Sequence, residues 1–139
     1  MELTREIDEY KNNRYVGKNR RLMHEWLAID QRFHDDPSII YIIRKRNADN
    51  LPIMYEIVFK VKSFCGVLDP DENGLRKPFC ADVFRMNIKI PNNYPAVDSK
   101  LEFKFITTDE EGKEIPHPWH PNIRYFGDFA GRVCLNTPA

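Results

Sequence analysis

The spacing of apolar residues changes once along this chain, at Pro37, and that change sets the order of its secondary structure. Before Pro37, Leu22, Trp26, Ile29 and Phe33 recur at helical intervals, and Met23 and Leu27 widen the stripe. Such a stripe predicts an amphipathic helix with one face for a core. Gly17 separates this helix from a shorter candidate over Thr4 to Tyr15. Asp35-Asp36-Pro37 ends the pattern, because the residue before a proline is pushed out of the helical region.

Beyond Pro37 the period is two. Ile39 to Arg44 is rich in β-branched and aromatic residues, and Asn47 to Pro52 has the composition of a turn. Ile53, Tyr55, Ile57, Phe59 and Val61 then share one side, with Glu56, Lys60 and Lys62 on the other. Leu68-Asp69-Pro70-Asp71-Glu72-Asn73-Gly74 is a polar connection. Phe84, Met86, Ile88 and Ile90 alternate with Arg85, Asn87 and Lys89, and the strand stops at Pro91 to Pro95. A fourth strand, Leu101 to Ile106, points Leu101, Phe103 and Phe105 inward. One helix followed by four short strands predicts an α+β fold, an N-terminal helix packed on a four-stranded antiparallel meander. The expected organisation is one domain over 1–139, with 1–16 as an N-terminal extension or short helix and 17–139 as the core.

Composition narrows the function classes. A hydrophobic fraction of 42% and an aromatic fraction of 12% supply a core and exclude a disordered chain. Twenty-one basic and twenty-one acidic residues cancel, so neither nucleic acid nor an anionic membrane is an expected partner. No apolar run reaches the roughly 18 residues of a membrane span. Met1-Glu2-Leu3-Thr4-Arg5-Glu6 has no apolar core of a signal peptide. Cys65, Cys80 and Cys134 are odd in number and lack a C-x-x-C pair, which predicts free thiols in a reducing, cytoplasmic compartment.

The segment after Thr107 is the part that points to chemistry. Pro116, Pro118 and Pro121 cannot join a helix or a central strand, yet Trp119, Ile123, Tyr125, Phe126 and Phe129 do not suit a solvated linker. A proline-stiffened, aromatic-rich stretch predicts an ordered irregular platform, and long ordered loops are usually functional.

Within it, His120-Pro121-Asn122 followed by Gly131-Arg132-Val133-Cys134-Leu135 resembles the active-site segment of ubiquitin-conjugating enzymes. Val83 to Pro95, ending in Tyr94-Pro95, is similar to that family's third strand and Tyr-Pro turn, and Leu101 to Phe105 to the strand after it. The resemblance runs in order from about Leu22 to the last residue. It implies that Cys134 carries a ubiquitin-like protein as a thioester, received from an activating enzyme and passed to an amine of a protein target. Asn122 is then the donor to the thioester oxygen. His120 and Pro121 hold Asn122, and Tyr94 with Pro95 supports the platform from below. Lys18, Arg20 and Arg21 match the helix that contacts the activating enzyme. No cofactor and no metal are implied.

The bland readings stand beside these. A free cysteine is commonly a buried inert thiol, which is the reading retained for Cys65 and Cys80 and the rival for Cys134. Asn122 could cap a turn, and Lys18, Arg20 and Arg21 could be a solvated face. His117, His120 and Cys134, with Cys65 or Cys80, form a rival metal set, although no paired ligand spacing is present. A Cys-His hydrolase would need a base oriented on the thiol. A non-catalytic module of the same fold, binding ubiquitin-like or activating-enzyme partners, is the alternative function.

The chain also departs from the family. Eleven residues separate Asn122 from Cys134, more than is usual, and Ala96 follows Tyr94-Pro95 where typical members carry the phenylalanine that ligases grip. These features resemble bacterial relatives, which sit beside activating enzymes in antiphage defence. The sequence ends at Ala139, where family members continue into further helices, so those C-terminal helices are expected to be missing.

Overall fold

The stripe that predicts the helix is the one the fold buries. In a computed structural model describing residues 6–96, 98, 100–123 and 130–133, a short 3-10 helix, Glu6–Glu9, precedes α1, Gly17–Phe33. Leu22, Met23 and Trp26 of α1 are buried, and Ile7 of the 3-10 helix joins their cluster. Tyr10 packs on Trp26 with ring centroids 5.1 Å apart, and the Arg46 guanidinium lies 5.3 Å from the Trp26 ring centroid. One buried residue of α1 breaks the stripe, Asp30. Its carboxylate accepts from the Tyr41 hydroxyl at 2.6 Å, and that hydroxyl accepts from Trp26 Nε1 at 3.3 Å. A charge buried on an apolar face needs such partners.

Six strands follow: β1 Ile39–Arg46, β2 Pro52–Phe59, β3 Ser63–Val67, β4 Pro78–Ala81, β5 Phe84–Lys89 and β6 Glu102–Phe105. Four of them form an antiparallel sheet in the order β1-β2-β5-β6, which is the expected meander. Its register sets Tyr41, Ile57, Met86 and Phe105 in one cross-strand row and Ile43, Tyr55, Ile88 and Phe103 in the next. Residues opposite each other share a face, so both rows lie on the side that α1 covers over β1 and β2.

The opposite face is not simply solvated. Glu56 is only 3% exposed there, clasped by Arg44 at 3.0 Å and Arg85 at 3.0 Å, and Arg85 reaches on to Glu110 at 3.1 Å. Burial pushes the Glu56 carboxyl up, but the two guanidinium groups outweigh it and hold the group below its ordinary value.

The connection between β2 and β5 holds more than a turn. β3 and β4 pair as a separate two-stranded sheet, with the polar stretch at its tip. There the Asp71 carboxylate accepts from the Asn73 and Leu75 amides at 2.9 and 3.0 Å. The hairpin inserts between the second and third strands of the meander and leaves their pairing intact. Among the described residues there is no further α-helix, and no helix is long and apolar enough to cross a membrane.

Candidate functional site

The platform begins with a return from β6. Thr108 pairs with Glu114 in an antiparallel bridge, closed by Asp109, whose carboxylate accepts from the Glu111 and Lys113 amides at 2.9 Å. The Ile115 amide donates to Thr107 O at 2.9 Å. From Pro116 the prolines remove donors that a sheet would need, and the next backbone anchor lies on a different element. Trp119 donates its amide to Phe64 O of β3 at 2.8 Å, and the two rings pack with centroids 6.3 Å apart. The exposed indole and the exposed phenyl therefore cover one another on their inner sides.

A tight turn follows Trp119. The Ile123 amide donates to His120 O at 2.9 Å, and the Asn122 amide donates to His120 Nδ1 at 3.1 Å. In the second bond Nδ1 is the acceptor. His120 thus fixes the backbone of Asn122, while Pro121 limits φ between them. The turn faces outward: His120 and Pro121 are exposed and Asn122 is half-buried.

A second piece of chain arrives from further along the sequence. Phe105 donates its amide to Gly131 O at 2.7 Å, and Val133 donates its amide to Phe103 O at 2.8 Å, with Lys104 and Arg132 bridged between them. Residues 131–133 therefore extend the sheet along the outer edge of β6. Gly131 has φ +85, and a Cβ built on it would overlap the Phe105 carbonyl oxygen and approach Thr107 Cγ2 to 2.9 Å. Only glycine seats the segment this closely. Val133 pairs in turn with Ile123 in an antiparallel bridge. The bridge joins the His120 turn to residues 131–133, which precede Cys134 in the sequence.

Cys134 itself lies outside the described residues. Tyr94 and Pro95 lie in the turn that follows β5, joined by a cis peptide bond. The Tyr94 hydroxyl donates to Glu25 of α1 at 2.8 Å, so it braces the helix against the sheet. Desolvation first, then Glu25, pushes its hydroxyl up, with Arg21 opposing. Lys18 donates to Asn92 O at 3.0 Å, while Arg20 and Arg21 are exposed on α1.

The rival metal set has three histidine or cysteine members beside His120 among the described residues, Cys65, Cys80 and His117. Cys65 is buried on β3, Cys80 is exposed on β4, and desolvation holds the His117 imidazole below its ordinary value. Among the described residues, no group of three or more His, Cys, Asp or Glu side chains is placed to hold a metal ion. Sequence reasoning passed over Phe64, which anchors Trp119, and quoted Gly131 only as the first residue of the motif, without its seat against β6. No protein-family profile, no curated protein and no solved structure matches this chain.

Proposed function

We propose that this chain is a ubiquitin-conjugating-type transferase that carries a ubiquitin-like protein as a thioester on Cys134. The observation that supports it is the bridge between Ile123 and Val133, because each residue is the chain neighbour of a proposed site residue. Asn122 precedes one bridged residue in the sequence and Cys134 follows the other, so the bridge ties together the two segments that carry the proposed site residues.

The reaction has two exchanges. Cys134, as thiolate, attacks the carbonyl carbon of the cargo's C-terminal thioester on the activating enzyme. A new C–S bond forms and the donor thiolate leaves. An amine of the target then attacks the Cys134 thioester, and negative charge builds on the carbonyl oxygen. The Asn122 side-chain amide donates to that oxygen, with its backbone held by His120 Nδ1. The C–S bond breaks, the Cys134 thiolate departs, and the proton of the attacking ammonium passes to it or to water. His120 serves position rather than proton transfer. Arg20 and Arg21, exposed on α1, and the half-buried Lys18 are the proposed contacts for the activating enzyme. A reducing cytoplasm keeps the carrier thiol free, and a bacterial defence setting fits the departures from typical members.

Charging tests the reading. With an ATP-dependent activating enzyme and its ubiquitin-like protein, the chain acquires an adduct that reductant removes and that Cys134→Ala cannot form. If a positive control charges and this chain does not, it is a binding module instead.

A further inference from the structure

The β3–β4 hairpin carries two thiols that the proposed transfer does not use. Phe64 pairs with Cys80 and Gly66 with Phe79, so Cys65 is the extra residue of a β-bulge. A bulge sets two residues of one strand against one of its partner, here Phe64 and Cys65 against Cys80. The Cys65 thiol donates to Ser63 O at 3.6 Å, and Ser63 pairs with Ala81, the residue next to Cys80. Cross-strand neighbours stand at Cα separations that a disulfide accepts, about 4.4–6.8 Å. The same hairpin holds the platform, since Phe64, adjacent to Cys65 and opposite Cys80, accepts the Trp119 amide and packs on its ring.

We propose that Cys65 and Cys80 are a peroxide-sensitive thiol pair whose disulfide resets the hairpin against Trp119. Cys80 is exposed and reacts first. Its sulfur attacks one peroxide oxygen, the S–O bond forms as the O–O bond breaks, and the departing hydroxide takes up the thiol proton as water. Cys65, shielded by burial, then attacks the Cys80 sulfenic acid. An S–S bond replaces the S–O bond, and a second water leaves with the Cys65 proton. Two thiols are oxidised and one hydrogen peroxide is reduced to two waters. Burial first, and the neighbouring Cys80 charge next, push the Cys65 thiol up against the Ala81 amide, which keeps Cys65 in the resolving role.

The test is made on the full chain treated with hydrogen peroxide, alkylated under denaturing conditions and mapped by mass spectrometry. The expected product is a Cys65–Cys80 linked peptide pair that dithiothreitol reverses. In Cys65→Ser, and in Cys65→Ala should the serine variant misfold, dimedone traps Cys80 as its sulfenic acid. Trp119 emission shifts on oxidation of the wild-type chain and stays constant in Cys80→Ser. The proposal is overturned if both thiols survive peroxide, or if dimedone captures Cys80 equally in wild type and Cys65→Ser. A linked pair that leaves Trp119 emission unmoved overturns the coupling to the platform. None of these measurements reads transfer on Cys134, so this proposal and the carrier reading fail separately.

Discussion

Gly131→Ala isolates the packing that seats residues 131–133 against β6. Two effects separate cleanly. The first is backbone strain, because φ is +85 and an L side chain there costs roughly 1–2 kcal/mol. The second is displacement: the new Cβ meets the Phe105 carbonyl, which belongs to the sheet and cannot yield. Pushing residues 131–133 away breaks the Phe105-to-Gly131 and Val133-to-Phe103 hydrogen bonds. At about 0.5–1.5 kcal/mol each, that adds about 1–3 kcal/mol. Gly74→Ala is the matched control, since Gly74 has φ +76 but nothing within 4 Å of the added Cβ. Urea unfolding should therefore show Gly131→Ala losing about 2–5 kcal/mol and Gly74→Ala only the roughly 1–2 kcal/mol of strain. Thioester loading should fall in the first variant and persist in the second. Equal losses in both variants, with equal loading, would refute the account of how the strand is held.

Three further outcomes follow from the same geometry. Asn122→Ala should slow transfer from charged Cys134 to an amine by about 10²–10³ while leaving charging close to wild type, measured by single-turnover chase. Asn122→Cys should form a disulfide with Cys134 under mild oxidation, because the proposed reaction needs both side chains within reach of one carbonyl; peptide mapping that finds no such bond counts against the proposed site. Glu56 and His117 give opposite ionisations but the same direction with pH. Glu56 is held below its unfolded value of about 4.3, so its stabilisation is complete above that pH and is lost as pH falls through the lower folded value. His117 is also held below its unfolded value of about 6.5, so the folded state resists its protonation and stability declines as pH falls beneath 6.5. Denaturation midpoints across pH should flatten near 6 in His117→Gln and near 4 in Glu56→Gln.

The helix and the four meander strands are legible because periodicity is a local property, and burial follows it most clearly at Leu22, Trp26, Tyr55, Ile57 and Phe84. What escapes is whatever depends on residues far apart in the chain. Asp30 looks like an interruption of the apolar stripe until Tyr41 and Trp26 supply its partners. Glu56 looks like a solvated residue until Arg44 and Arg85 enclose it. The β3–β4 hairpin escapes because the bulge at Cys65 and the exposed Phe64 and Val67 erase the alternation that marks a half-buried strand. In the platform, the prolines and aromatics predict order, but the partners of that order are nonlocal: Phe64 for Trp119, and Val133 for Ile123. Tyr94 illustrates the reverse case, a motif residue whose bond leads to α1 instead.

The carrier assignment is tested most directly at the sulfur of position 134. The chain is incubated with an activating enzyme, ATP and a ubiquitin-like protein, and the product is digested and mapped without reductant. The account predicts the cargo's C-terminal residue joined to Cys134 through a bond that hydroxylamine cleaves. Cargo joined only at a lysine, or the same adduct on a Cys134→Ala chain, would contradict it.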